Sequence, residues 1–119
     1  MNGGMSVHVV DVSRGLVATG MRVEVHIAST PVRRLLCAGA INAKGVLDEP
    51  ALMSDAVGAG AYEVVFHVAD YYRAQSVALP SQPFLDVVTY RFSIGDAAQH
   101  YHLPMKLTPW GYSCFRGGA

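Results

Sequence analysis

Ala61-Tyr62-Glu63-Val64-Val65-Phe66-His67-Val68, residues 61–68, decide the fold class. Tyr62, Val64, Phe66 and Val68 recur at every second position, which places them on one face of an extended chain and leaves Glu63 and His67 on the other. β-Branched and aromatic residues on that period read as a half-buried strand. Residues 21–27 repeat the pattern, with Val23, Val25 and Ile27 facing in and Arg22, Glu24 and His26 facing out. Residues 6–12 alternate in the same way. His26 and His67 therefore read as solvated strand residues. Shorter strands are expected at 34–38, 87–94, 101–107 and 112–116, with a weak one near Val46. Turns fall at Ser13-Arg14-Gly15, Asn42-Ala43-Lys44-Gly45 and Gly58-Ala59-Gly60, and Pro80 and Pro83 mark a loop. One short helix is expected, capped by Asp70 and running through Tyr71, Tyr72, Arg73 and Ala74. Many short strands with a single helix predict an all-β sandwich.

Composition limits what such a sandwich can bind. The 119 residues are 51% hydrophobic and 15% charged, with formal net charge +0, which suits one domain over residues 1–119 with its own core. Lys and Arg form no cluster, so neither a nucleic acid nor an anionic membrane surface is an expected partner, since both need a concentrated positive field. No apolar run approaches the ~20 residues that cross a bilayer. The opening Met-Asn-Gly-Gly-Met-Ser has neither the basic region nor the apolar core of a signal peptide, so a cytoplasmic location is expected. Cys37 and Cys114 would then stay thiols. A small-molecule ligand fits best, and the residues that hint at chemistry on it are an i,i+2 pair, His100 and His102. Such a pair suits proton transfer, because a neutral imidazole accepts a proton near neutral pH. A zinc ion with His8 as third nitrogen ligand is the alternative, with no carboxylate identified to orient the ligands.

Several segments, in order along the chain, carry a resemblance. They are Val7-His8-Val9-Val10-Asp11 with Gly15 in the following turn; Tyr62-Glu63 to Phe66, then Asp70-Tyr71-Tyr72-Arg73-Ala74; and Pro83-Phe84-Leu85-Asp86-Val87-Val88. The C-terminal part has His100-Tyr101-His102-Leu103-Pro104, Leu107-Thr108-Pro109-Trp110-Gly111-Tyr112-Ser113 and Phe115-Arg116-Gly117. Together they resemble the 5-hydroxyisourate hydrolases of the transthyretin-like family. The resemblance implies a transthyretin-like sandwich of two four-stranded sheets with one short helix. It also implies a homotetramer, a dimer of dimers packed face to face around channels lined by two subunits. The implied reaction adds water to a ring amide carbonyl of 5-hydroxyisourate and opens its six-membered ring, with no cofactor and no metal.

Carried over residue by residue, the resemblance makes His8 and His102 the pair that activates water and Arg116 the contact to the substrate carbonyl. His100 and Ser113 become lining residues. Four positions depart from the pattern. Val46 stands where the family has an arginine after the Asn42 to Gly45 turn, and losing one oxyanion contact costs roughly two to three powers of ten in rate. Phe115 replaces a tyrosine, Gly118 replaces a serine with Ala119 beyond it, and Lys106 takes an apolar position on the His102 face. Two expectations follow. In one, Lys106, or less readily Lys44, supplies the cation missing at Val46, and an N-methylated hydroxyisourate is accepted. In the other, the chain is a non-catalytic small-molecule binding protein. A third, a purely structural domain, rests on fold alone.

Overall fold

The computed structural model describes residues 3–118, so Ala119 lies outside the described residues. Eight strands run in the order β1 (Met5–Asp11), β2 (Leu16–Val17), β3 (Arg22–Ile27), β4 (Arg34–Ala40), β5 (Gly60–His67), β6 (Val87–Ile94), β7 (Tyr101–Thr108) and β8 (Gly111–Cys114). A short 3-10 helix at Pro50–Met53 precedes β5, and a helix α1 at Val68–Ala74 follows it directly. The strands make two four-stranded sheets, ordered β2-β1-β7-β8 and β4-β3-β5-β6. Between the sheets lie the inward residues of each alternation: Met5, Val7 and Val9 from β1, Val23 and Val25 from β3, Val64 and Phe66 from β5, Leu103, Met105 and Leu107 from β7. Period-two burial on both layers is what two facing half-buried sheets require.

The periodic strands lie where the sequence puts them, and β6 matches to the residue. Four details differ. Near Val46 there is no strand but an isolated bridge to His8, because the Asn42 side chain ties the chain into a turn by accepting from the N–H groups of Lys44 and Val46. The last strand ends at Cys114 rather than at 116. Its register runs on from Met105–Cys114 to His102–Gly117, and the ladder breaks between them at Pro104, which has no N–H. The helix starts at Val68 without a side-chain cap, and Asp70 sits inside its first turn. No cap is needed there, because the Ala69 N–H donates to the Asp86 carbonyl at 2.9 Å.

The fourth difference concerns His26, which is buried, and His67, which is half-buried. His26 keeps the outer face that alternation gives it, opposite Glu63, but its ring is folded against Glu24 and the residue is 8% exposed. Both rings bond the same carboxylate: His26 Nε2 to Glu24 Oε1 at 3.0 Å and His67 Nε2 to Glu24 Oε2 at 2.5 Å. The same fold pins α1 to β1 through Asp11, a fully buried carboxylate. It accepts from the hydroxyls of Tyr71, Tyr72 and Ser13 at 3.0, 2.9 and 2.6 Å. Three donors offset the cost of burying its charge and hold the end of the strand that carries His8. Cys37 and Cys114 are free thiols, and burial pushes both up to about 11.

Candidate active site

Strand β1 lies parallel to β7, and that register assembles the site: Ser6 is opposite His102 and His8 is opposite Pro104. Ser6, His8, His102 and Pro104 therefore share the outer face of the sheet, while Val7, Leu103 and Met105 fill the core. The His8 and His102 rings lie 6.5 Å apart between centroids, with 29° between their planes. Residues from the two ends of the chain form one imidazole pair.

The turn after β4 closes over His8. The Val9 N–H donates to the Gly45 carbonyl at 2.9 Å and the Leu47 N–H to the Val7 carbonyl at 3.1 Å, which lays the segment along the edge of β1. Gly45 has φ of +84°, and a Cβ there would stand 2.7 Å from His8 Nε2. Only glycine allows both the turn and the ring beside it. Val46, bridged to His8, is placed next to the pair but offers an isopropyl group and no donor.

The chain beyond β8 returns across β7. The Gly117 N–H donates to the His102 carbonyl at 2.8 Å, and a Cβ on Gly117 would meet Pro104 Cγ at 2.8 Å. Arg116 is thereby laid over the Tyr101 ring at 3.9 Å and donates to Gln99 Oε1 at 2.8 Å. Ser6, Gln99, His100, His102, Arg116 and Gly118 line an open concavity of about 480 Å³. Ser6 bridges His102 of β7 and His100 just before it, 2.6 Å from His102 Nδ1 and 2.9 Å from His100 Nε2. Burial first, then the neighbouring His8 and His100, holds the His102 imidazole below its ordinary pKa. At neutral pH that ring is uncharged and basic.

Of the residues named from sequence, the fold brings His8, His100, His102 and Arg116 together and sets Val46 beside His8. Lys106, Ser113 and Phe115 stand apart from the concavity. Lys106 is exposed and faces Val10 and Ser113 in the ladder, four residues and so about 13 Å along the strand from His102. Within one chain it does not fill the place of the missing arginine. Lys44 is exposed in the turn itself. Ser6 and Gln99 were not anticipated as site residues. Ser6 could have been found, being two positions from His8 and on its face, whereas nothing in the sequence marks Gln99.

A family model for the HIUase/Transthyretin family matches residues 5–117. The chain belongs to that family. Among HIUase/Transthyretin relatives, it is 42% identical over 114 residues to the 5-hydroxyisourate hydrolase of Deinococcus radiodurans, covering 96% of this chain and 95% of that one. It is 38% identical over 116 residues to 5-hydroxyisourate hydrolase 2 of Rhizobium meliloti, at 98% and 97% coverage. Among solved structures, an (S)-allantoin synthase superposes with a TM-score of 0.91 at 33% identity, over 98% of this chain but 44% of that one. The 5-hydroxyisourate hydrolase of Klebsiella pneumoniae gives 0.76 at 25% identity, covering 98% of this chain and 94% of that chain. This family member is thus similar over its length to relatives named as 5-hydroxyisourate hydrolases.

Proposed function

We propose that the chain hydrolyses 5-hydroxyisourate, the compound for which its relatives are named, and that His8, His102 and Arg116 carry the reaction. The observation behind this reading is the imidazole pair, 6.5 Å apart and beside a concavity that Arg116 lines. In the reaction, one neutral imidazole takes a proton from water as the oxygen attacks a ring amide carbonyl. The ring C–N bond breaks and the proton returns to the leaving nitrogen. His102, held uncharged at neutral pH, is the base, and His8 orients the water from the opposite side. The Arg116 guanidinium stabilises negative charge on the carbonyl oxygen, at the cost of its contact with Gln99. The site belongs to the outer face of β2-β1-β7-β8, so a second copy packed on that face would close the concavity into a channel. A cytoplasmic homotetramer is the assembly we propose.

Val46 is the specific feature that favours a second reading. With valine rather than arginine bridged to His8, the pocket suits a less polar ring such as an N-methylated hydroxyisourate, or it binds without turnover. In an assembled tetramer Lys106 of an apposed copy would be the replacement cation. Freshly prepared 5-hydroxyisourate and its methylated analogues, offered to purified protein and followed by absorbance, test the activity. Loss faster than in buffer supports hydrolysis, and no acceleration for any of them removes it. Val46→Arg is expected to raise kcat/KM on 5-hydroxyisourate by roughly ten to a hundredfold, part of what one oxyanion contact supplies. No gain would point to specialisation for another ring. Light scattering checks the tetramer.

A further inference from the structure

Three hydrogen bonds run in series behind His102, and their ends determine where its proton sits. His100 Nδ1 lies 2.7 Å from the Gly3 carbonyl oxygen. A carbonyl only accepts, so His100 carries its proton on Nδ1. In neutral His100, Nε2 is then a bare lone pair, and it takes the Ser6 hydroxyl proton at 2.9 Å. The Ser6 oxygen, its proton committed, accepts from His102 Nδ1–H at 2.6 Å. What remains on His102 is an unprotonated Nε2, on the side of the ring away from Ser6.

We propose that Ser6 and His100 are positioning residues that hold His102 as its Nδ1–H tautomer, so that Nε2 is the base. This rests on the hydrolase reading for its catalytic meaning, though the tautomer itself does not. An unconstrained histidine side chain favours the Nε2–H form, which would present a donor where the reaction needs an acceptor. A hydrogen bond to the far nitrogen is the usual means of fixing this choice, and most often the partner is a carboxylate or carbonyl. Here the carbonyl acts at one remove, through a second imidazole and a hydroxyl.

The relay also gives the proton a way out. When His102 Nε2 takes a proton from water, Nδ1–H can pass to the Ser6 oxygen as the Ser6 proton passes to His100 Nε2. Both protons move one bond, and the positive charge transfers from half-buried His102 to exposed His100. The reverse follows on acidification. Once His100 is protonated on both nitrogens, its Nε2–H donates to Ser6, Ser6 turns to donate to His102 Nδ1, and His102 is left with its proton on Nε2. Protonating His100 thus disables His102 without touching it. The other groups around the relay are His8 from β1, Lys106 further along β7, Arg116 from the returning tail and Lys44 from the turn beside His8. Asp96 holds Gln99 from the far side, accepting from Nε2 at 3.3 Å.

Long-range proton–nitrogen spectra of full-length protein labelled with 15N-histidine, recorded near pH 8, read the tautomer directly, with His102→Gln assigning the resonances. The expected result is a pyrrole-like Nδ1 and a pyridine-like Nε2 on His102. An Nε2–H tautomer in the wild type would overturn the proposal. Ser6→Ala is expected to move His102 toward the Nε2–H form and lower kcat by about ten to a hundredfold with KM nearly unchanged, within the range for a positioned base. Ser6→Thr, which keeps the hydroxyl, should restore most of it. Below the imidazole range, wild-type log kcat/KM should fall about one proton more steeply than that of His100→Gln. Equal slopes contradict the role of His100. If the wild type hydrolyses nothing, the spectra still decide the relay, and only the functional reading falls.

Discussion

The outer faces of the two sheets both carry histidines, and their surroundings make different chemistry of the same side chain. On β3 and β5, Glu24 takes both available imidazoles, His26 and His67, at 3.0 and 2.5 Å. Those two bonds, His67 first, hold the Glu24 carboxyl below the usual carboxylate range. On β1 and β7 the partners are a hydroxyl, a carbonyl and other imidazoles, and the His102 ring is held below its ordinary pKa instead. A carboxylate stabilises a protonated ring and engages its N–H, whereas a neutral relay leaves a lone pair free. One face is a structural clasp and the other a base.

The largest effect expected from this contrast is on His102. His102→Gln should lower kcat/KM on the accepted hydroxyisourate by about 10² to 10⁴-fold, the usual worth of a positioned base, while His67→Gln on the other face leaves it within about twofold. Equal losses from both would erase the distinction. Gly45→Ala comes next. Its Cβ would collide with His8 Nε2 and its φ is left-handed, so a loss of about tenfold to a hundredfold in rate is expected, with about 1 to 2 kcal/mol of stability. Activity assays beside thermal melts would separate the two parts.

Glu24→Gln should act on stability alone, by about 1 to 2 kcal/mol, since it replaces charge-assisted hydrogen bonds by neutral ones on a partly exposed group. The sign of its pH dependence is set by the depressed carboxyl. Glu24 contributes fully above the unfolded pKa near ~4.3, and that contribution disappears as pH falls through the lower folded value. Urea midpoints of wild type and variant should therefore converge on acidification. The smallest effect is a displacement of the activity profile. Because His102 is depressed, the acid limb of kcat/KM in His100→Gln, where the relay no longer takes a proton, should have its midpoint below the ordinary imidazole value of ~6.5. A midpoint above that value would mean that a carboxylate, as on the other face, is at work.

Much of this arrangement was readable along the chain. The alternation in 21–27 and 61–68 marked two strands, and parity put Ser6 and Val10 on the face of His8 in the first strand. The C-terminal His100-Tyr101-His102 and Phe115-Arg116-Gly117 motifs pointed to the residues that now surround one concavity. Solvated histidines at 26 and 67 were a reasonable expectation from period two, and it failed because Glu24 gathers both rings on that face, a contact between strands that alternation cannot anticipate. Lys106 shows the opposite limit. Its face follows from parity, but its distance from His102 depends on position along the strand, and it is too far along to reach the same concavity.

Periodicity is a property of the chain's own backbone geometry, so the strands, the two half-buried sheets and the face of each histidine were determined by sequence alone. Which strand lies beside which, and in what register, depends on contacts between segments that sequence separates by most of the molecule. The parallel pairing of β1 with β7 sets Ser6 against His102 across 96 positions. The return of the tail sets Arg116 over Tyr101, and the pairing of β3 with β5 gives Glu24 its second imidazole. Whether a histidine is a clasp or a base was decided there, because its proton follows its neighbours and the neighbours are supplied by the fold.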